Sequence, residues 1–133
     1  MRFTRGHLRF SRKEIWNLGE HLAKCIYDGL LQFKNSERMG HPGDINEEIW
    51  EEYLDKMIYS FKEISSYYKH DPYEIYFKEN WKKEWSDFEV DEEGKLKTKI
   101  EIPDEVYTQR DEYYEKVKEG LKLFSEYYMD MWD

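Results

Sequence analysis

The chain has one cysteine, Cys25, in 133 residues, so no internal disulfide can form and nothing points to an oxidising compartment. It has no apolar run approaching the roughly 18 residues needed to span a bilayer, and Met1-Arg2-Phe3-Thr4-Arg5 lacks the apolar segment of a signal peptide. No membrane partner is expected, and the expected location is the cytoplasm. The motifs of common catalysts are missing as well. There is no glycine-rich phosphate loop, no HExxH helix and no GxSxG elbow, and Gly40 to Gly43 is too short for a P-loop. The expectation is a protein that is not an enzyme and carries no cofactor. His21 and Cys25 stand four apart, but two ligands do not make a metal site, and no third or fourth stands at a recognisable spacing.

Aromatic residues are abundant: 5 Trp, 12 Tyr and 7 Phe. Most are laid out at helical spacing, as in Tyr113, Tyr114, Val117, Leu121, Phe124, Tyr128 and Met131, which share one helix face. Each buried ring removes more apolar area from water than an aliphatic side chain, at roughly 25 cal/mol per Å². That is how a chain with 38% charged residues can fold around one core. The length fits a single domain covering 1–133.

Charge is divided unevenly along the chain. Arg2, Arg5, Arg9, Arg12 and Lys13 all precede the first acidic residue, Glu14, so a basic N-terminal arm (1–13) carries +5 in a chain of net charge −9, leaving −14 on the rest. The acidic body repels a nucleic-acid backbone and attracts basic partners, so nucleic acid is not an expected partner. Only the arm suits phosphates, and the plain alternative is that its arginines pair with the protein's own carboxylates.

Ser11 with Glu14 forms a capping box, and Ile15, Leu18, Leu22, Cys25 or Ile26, Gly29 or Leu30, and Phe33 follow at helical steps, predicting a helix from about Arg12 to about Lys34. Turn residues from Asn35 to Gly43 break it. Asp44 or Asn46 caps a second helix whose apolar stripe runs from Trp50 through Leu54, Met57 and Phe61 to Tyr68, with Glu48, Glu51, Glu52 and Asp55 as a solvated face. Asp71-Pro72-Tyr73-Glu74 starts a third, with Tyr73, Phe77, Trp81, Trp85 and Phe88 on its face. The period then changes. Residues near 88–102 alternate around Asp91-Glu92-Glu93-Gly94 and read as a short hairpin or loop excursion, before Pro103-Asp104 opens a last helix to about Met131. The predicted fold is all-α, an antiparallel bundle of three to four helices.

Arg9-Phe10-Ser11-Arg12-Lys13-Glu14-Ile15-Trp16-Asn17-Leu18, His41-Pro42-Gly43-Asp44, Glu48-Ile49-Trp50, Leu54 through Phe61, Glu119-Gly120-Leu121-Lys122-Leu123-Phe124 and the closing Met131-Trp132-Asp133 together resemble a family of small acidic helical proteins encoded by tailed bacteriophages. The chain departs from that pattern at Arg12 and Gly19, where acidic residues are usual, and its 67–113 span lies outside the likeness. The resemblance implies a phage accessory protein in a host bacterial cytoplasm that acts by binding, and it supplies no catalytic residue.

Three functions fit these readings. The first is sequestration of a nucleotide-type immune signal of a bacterial defence system, with Arg5, Arg9, Arg12 and Lys13 for phosphates and Trp16 for a base, in a pocket that a homo-oligomer could complete between subunits. In the second, the acidic body covers a basic surface of a host protein, as a DNA mimic would. The third is a structural or assembly role in the phage particle.

Overall fold

Three helices start at a capping side chain that the sequence shows, Ser11, Asn46 and Asp71. The computed structural model describes residues 1–36, 40–81, 88–98 and 101–131. Strands β1 (Arg2–Thr4) and β2 (His7–Arg9) form an antiparallel hairpin. Ser11 then caps α1 (Arg12–Trp16) in a full capping box: its hydroxyl accepts from the Glu14 amide while the Glu14 carboxylate accepts from the Ser11 amide. The backbone leaves helical geometry at Asn17 and restarts as α2 (Leu18–Asn35), so the single helix expected from Arg12 to Lys34 is two. Asn46 caps α3 (Glu47–Ser65), and Asp71 caps α4 (Pro72–Asn80) with proline in its first turn. Strands β3 (Phe88–Val90) and β4 (Leu96–Thr98) pair antiparallel, confirming a short hairpin. The chain closes with α5 (Asp104–Tyr127) and a 3-10 turn at Tyr128–Asp130. The fold is all-α, with two small hairpins attached. Trp85 and Ile100, assigned from the sequence to a helix face and a strand, lie outside the described residues.

The chain divides into two compact units, Met1–Tyr68 with Lys116–Asp133, and Lys69–Glu115. In the first, α2, α3 and the C-terminal part of α5 run antiparallel. Phe33 near the end of α2 meets Trp50 near the start of α3, and Trp50 meets Tyr127 near the end of α5. Ala23, Leu30, Trp50, Leu54, Met57 and Phe61 form the core, and Phe61 packs edge-on to Phe124 with ring centroids 4.8 Å apart. From Trp50 to Ile64 the α3 stripe is therefore as the spacing predicted, including Trp50 as a core residue, while Tyr68 lies in the turn after the helix ends at Ser65.

On two other helices the stripe holds only in part. Ile15, Leu18 and Leu22, placed on the core face by their spacing, are exposed, whereas Ile26, Leu30 and Phe33 of the same stripe face the core as expected, joined by Ala23. Leu121 and Tyr128 are likewise exposed, while Tyr113 and Val117 are buried and Phe124 and Met131 pack on the core as expected, joined there by Leu123 and Tyr127. Both helices carry apolar residues over more than one face width, and the partner helix covers one arc only.

The second unit is organised by Asp71, which is fully buried. Its carboxylate accepts from the Tyr73 amide at 2.9 Å and the Tyr114 hydroxyl at 3.0 Å, with Arg110 Nε at 3.5 Å. The Arg110 guanidinium also lies over the Tyr73 ring, 4.7 Å from its centroid. These contacts join α4 to the N-terminal part of α5. In the β3–β4 turn, Asp91 Oδ1 accepts from the Glu93 and Lys95 amides while Gly94 takes a φ of +81°.

Candidate functional site

The basic arm is folded. Alternation in Arg2-Phe3-Thr4 and His7-Leu8-Arg9 brackets a two-residue turn, Arg5-Gly6, with φ of +51° and +77°. Positive φ at both turn positions gives the twist that two-residue hairpins need. The register sets Phe3 opposite Leu8 on one face and Arg2 opposite Arg9 on the other. Two like charges placed directly across a strand pair repel. Among the described residues none of Arg2, Arg5, Arg9, Arg12 and Lys13 has an ion-pair partner, so the arm's cations do not fold back onto the protein's own carboxylates.

Glu14 fastens this segment. Its carboxylate accepts from the Met1 amine and, at 2.6 Å, from the Ser11 amide, and these bonds hold its pKa down from 4.5 to about 2. The amine of Met1 is the largest cause, followed by the Ser11 amide. Phe10 sets its ring edge-on to His21, with centroids 5.8 Å apart, which docks the hairpin's end onto α2.

Beside it lies a cleft of about 240 Å³ lined by Lys13, Glu14, Asn17, Glu20 and His21 on one side and by Ser65 and Tyr67 at the end of α3 on the other. His21 Nε2 is buried there without a hydrogen-bond partner, 3.8 Å from Glu14 Oε1. Tyr67 and Tyr68 take φ of +58° and +55°, and their amides bond back to Ile64 and Glu63 carbonyls. Left-handed backbone at two successive non-glycine residues costs on the order of 1–3 kcal/mol each, and it turns the chain beside the cleft.

Of the residues singled out from the sequence, Arg12 and Trp16 stand one turn apart on α1, and Lys13 lines the cleft. Trp16 is 78% exposed, so its ring is free to stack on a ligand. Arg9 ends β2, two residues before the Ser11 cap. Arg5 is not brought to them: it sits in the turn at the hairpin tip, at the far end of β2 from Arg9. The sequence reading missed His21 and Tyr67, and also Phe3, which is 79% exposed. The Arg5-Gly6 turn between alternating segments was the signal for the hairpin. No local signal connects Tyr67 to Lys13.

A second cleft of about 250 Å³, between α3 and α5, is lined by Glu52, Asp55, Lys56, Tyr59, Lys116 and Glu119. Its charges are already engaged. Lys56 pairs with Glu119 at 2.8 Å and Glu52 at 3.4 Å, which raises its pKa, Lys34 holds Asp55, and Lys116 lies over the Tyr59 ring. This cleft clasps two helices and offers a ligand little. Among the described residues no group of three or more His, Cys, Asp or Glu side chains is arranged to hold a metal, and no helix is long and apolar enough to cross a membrane. In comparisons with protein-family models, curated proteins and solved structures, nothing matches the chain, so the functional reading rests on this geometry.

Proposed function

We propose that the protein acts by binding, without catalysis, and that its ligand is a phosphate-bearing small molecule of the nucleotide type. The observation that carries this reading is that Arg12 and Lys13, which have no ion-pair partner among the described residues, share α1 with the exposed ring of Trp16, while Arg2 and Arg9, likewise without one, stand opposite each other on the preceding hairpin. Phosphates need cationic donors and a base needs a flat ring, and both stand here without internal partners. With the resemblance to tailed-phage proteins, the biological form of the activity is sequestration of a nucleotide signal made by a bacterial defence system, in the host cytoplasm.

Calorimetry of the purified protein against linear and cyclic nucleotides tests it. Arg9→Ala and Arg12→Ala should each weaken binding by about 1.5–3 kcal/mol, the range for hydrogen bonds to charged groups. Trp16→Ala should cost about 1–3 kcal/mol of stacking. Absence of binding across the panel, with circular dichroism showing the helical fold intact, rejects the nucleotide reading. The exposed, unpaired carboxylates of Glu47 and Glu48 favour a second reading, inhibition of a host protein through one of its basic surfaces.

A further inference from the structure

The unit formed by α2, α3 and the end of α5 has two chemically opposite ends. At the start of α2 lie the cations of the arm together with exposed apolar side chains, Phe3, Ile15 and Trp16. Met1 to Glu14 and Phe10 to His21 hold the arm at that end. At the start of α3, next to the end of α5, lie Asp44, Glu47, Glu48, Glu126 and Asp130, all exposed. The Tyr127 hydroxyl, 3.2 Å from Asp44 Oδ2, ties these two segments together. Among the described residues none of these five carboxylates has an ion-pair partner. This end too exposes apolar surface, with Tyr128 at 63% and Met129 at 86%.

The two ends cannot neutralise each other within one molecule. Nineteen helical residues of α3 separate them, about 28 Å, against a screening length of about 8 Å at physiological salt. Both ends combine uncompensated charge of opposite sign with apolar side chains that no part of the described chain covers. The partner that fits each is the other end of a second copy.

We infer that these ends are complementary docking surfaces that join successive copies of this chain head to tail. Such a contact is heterologous, because one patch meets a different patch, and it grows into a ring or a filament rather than closing as a symmetric pair. This goes beyond nucleotide binding and does not depend on it.

The test uses sedimentation velocity of the full chain over a wide concentration range. Wild type should pass from the 16.6 kDa monomer to species of more than two copies, and high salt should reverse this. Arg9→Ala with Arg12→Ala, and separately Glu47→Gln with Glu48→Gln, should each sediment as a monomer with unchanged circular dichroism. Mixed together, the two variants should form a species of two copies and nothing larger, because each keeps one working end. A wild type that stays monomeric throughout, one that stops at two copies, or a mixture that fails to associate overturns the inference. The Glu47→Gln, Glu48→Gln variant keeps its arm intact, so nucleotide calorimetry on it judges the proposed ligand separately from self-association.

Discussion

Gly120 of α5 lies so close to Ser60 of α3 that a Cβ built on the glycine would stand 1.9 Å from the serine hydroxyl and 2.3 Å from the Lys56 carbonyl. The hydroxyl itself lies 2.7 Å from the Val117 carbonyl and 3.2 Å from the Lys56 carbonyl, so it satisfies a buried position at the crossing. The pair sets how closely the two helices approach. Gly120→Ala would gain about 1 kcal/mol of helix propensity, yet the backbone carbonyl cannot move aside as a side chain can. A net loss of about 1–3 kcal/mol in urea melts is expected, as for overpacked cores. Adding Ser60→Gly should not restore stability, since the Lys56 carbonyl remains.

Phe61 of α3 is buried edge-on against Phe124 near the end of α5. Phe61→Ala should cost about 3–5 kcal/mol, enough to threaten a marginal domain. A loss under about 1 kcal/mol would place the ring at the surface instead.

Asp71 should govern the stability of the unit from Lys69 to Glu115. Asp71→Ala removes the α4 cap and the acceptor for Tyr114, and should cost about 1.5–3 kcal/mol. Faster amide hydrogen exchange across Pro72–Asn80 would report it. Burial, then the hydrogen bond to Asp71, raises the Tyr114 phenol above its ordinary 10.0. The folded state thus holds this proton more tightly, so the contribution is complete below pH 10.0 and is lost as pH rises beyond it. Ultraviolet titration of the phenols should show a late-titrating tyrosine that Asp71→Ala shifts downward.

Acid should loosen the arm through Glu14. Its pKa is lowered from 4.5 to about 2, so its stabilising contribution is complete above pH 4.5 and is lost as pH falls towards 2. Carboxyl NMR titration should find this low value, and Glu14→Gln should abolish the pH dependence of the hairpin's resonances. A Glu14 that titrates near 4.5 would mean that the arm is not fastened there.

The β3–β4 turn should tolerate change. Its tip from Glu92 to Lys95 is exposed, so limited proteolysis should cut there early. Replacing Asp91 to Lys95 with a shorter turn should leave the helical circular dichroism intact. Global unfolding would make the hairpin integral to the fold.

Caps and turns depend on residues within about four positions of one another, and so they were legible in the chain. The Ser11–Glu14 box, Asn46, Asp71-Pro72 and the Asp91–Gly94 turn all stand where their spacing put them. The α3 stripe was legible too, because its apolar residues are confined to one face and leave a single way to bury them. At the candidate site, the pairing of Arg12 with Trp16 needed only the helical repeat. Tertiary structure decided the rest. Which apolar arc of α2 and α5 faces inward depends on where the neighbouring helix lies, and so Leu18, Leu22 and Leu121 ended outside while Gly120, silent in any hydrophobic pattern, became a contact. The cleft joining Lys13 and His21 to Tyr67 likewise exists only because antiparallel packing carries the end of α3 back to the start of α2, which no spacing along the chain encodes.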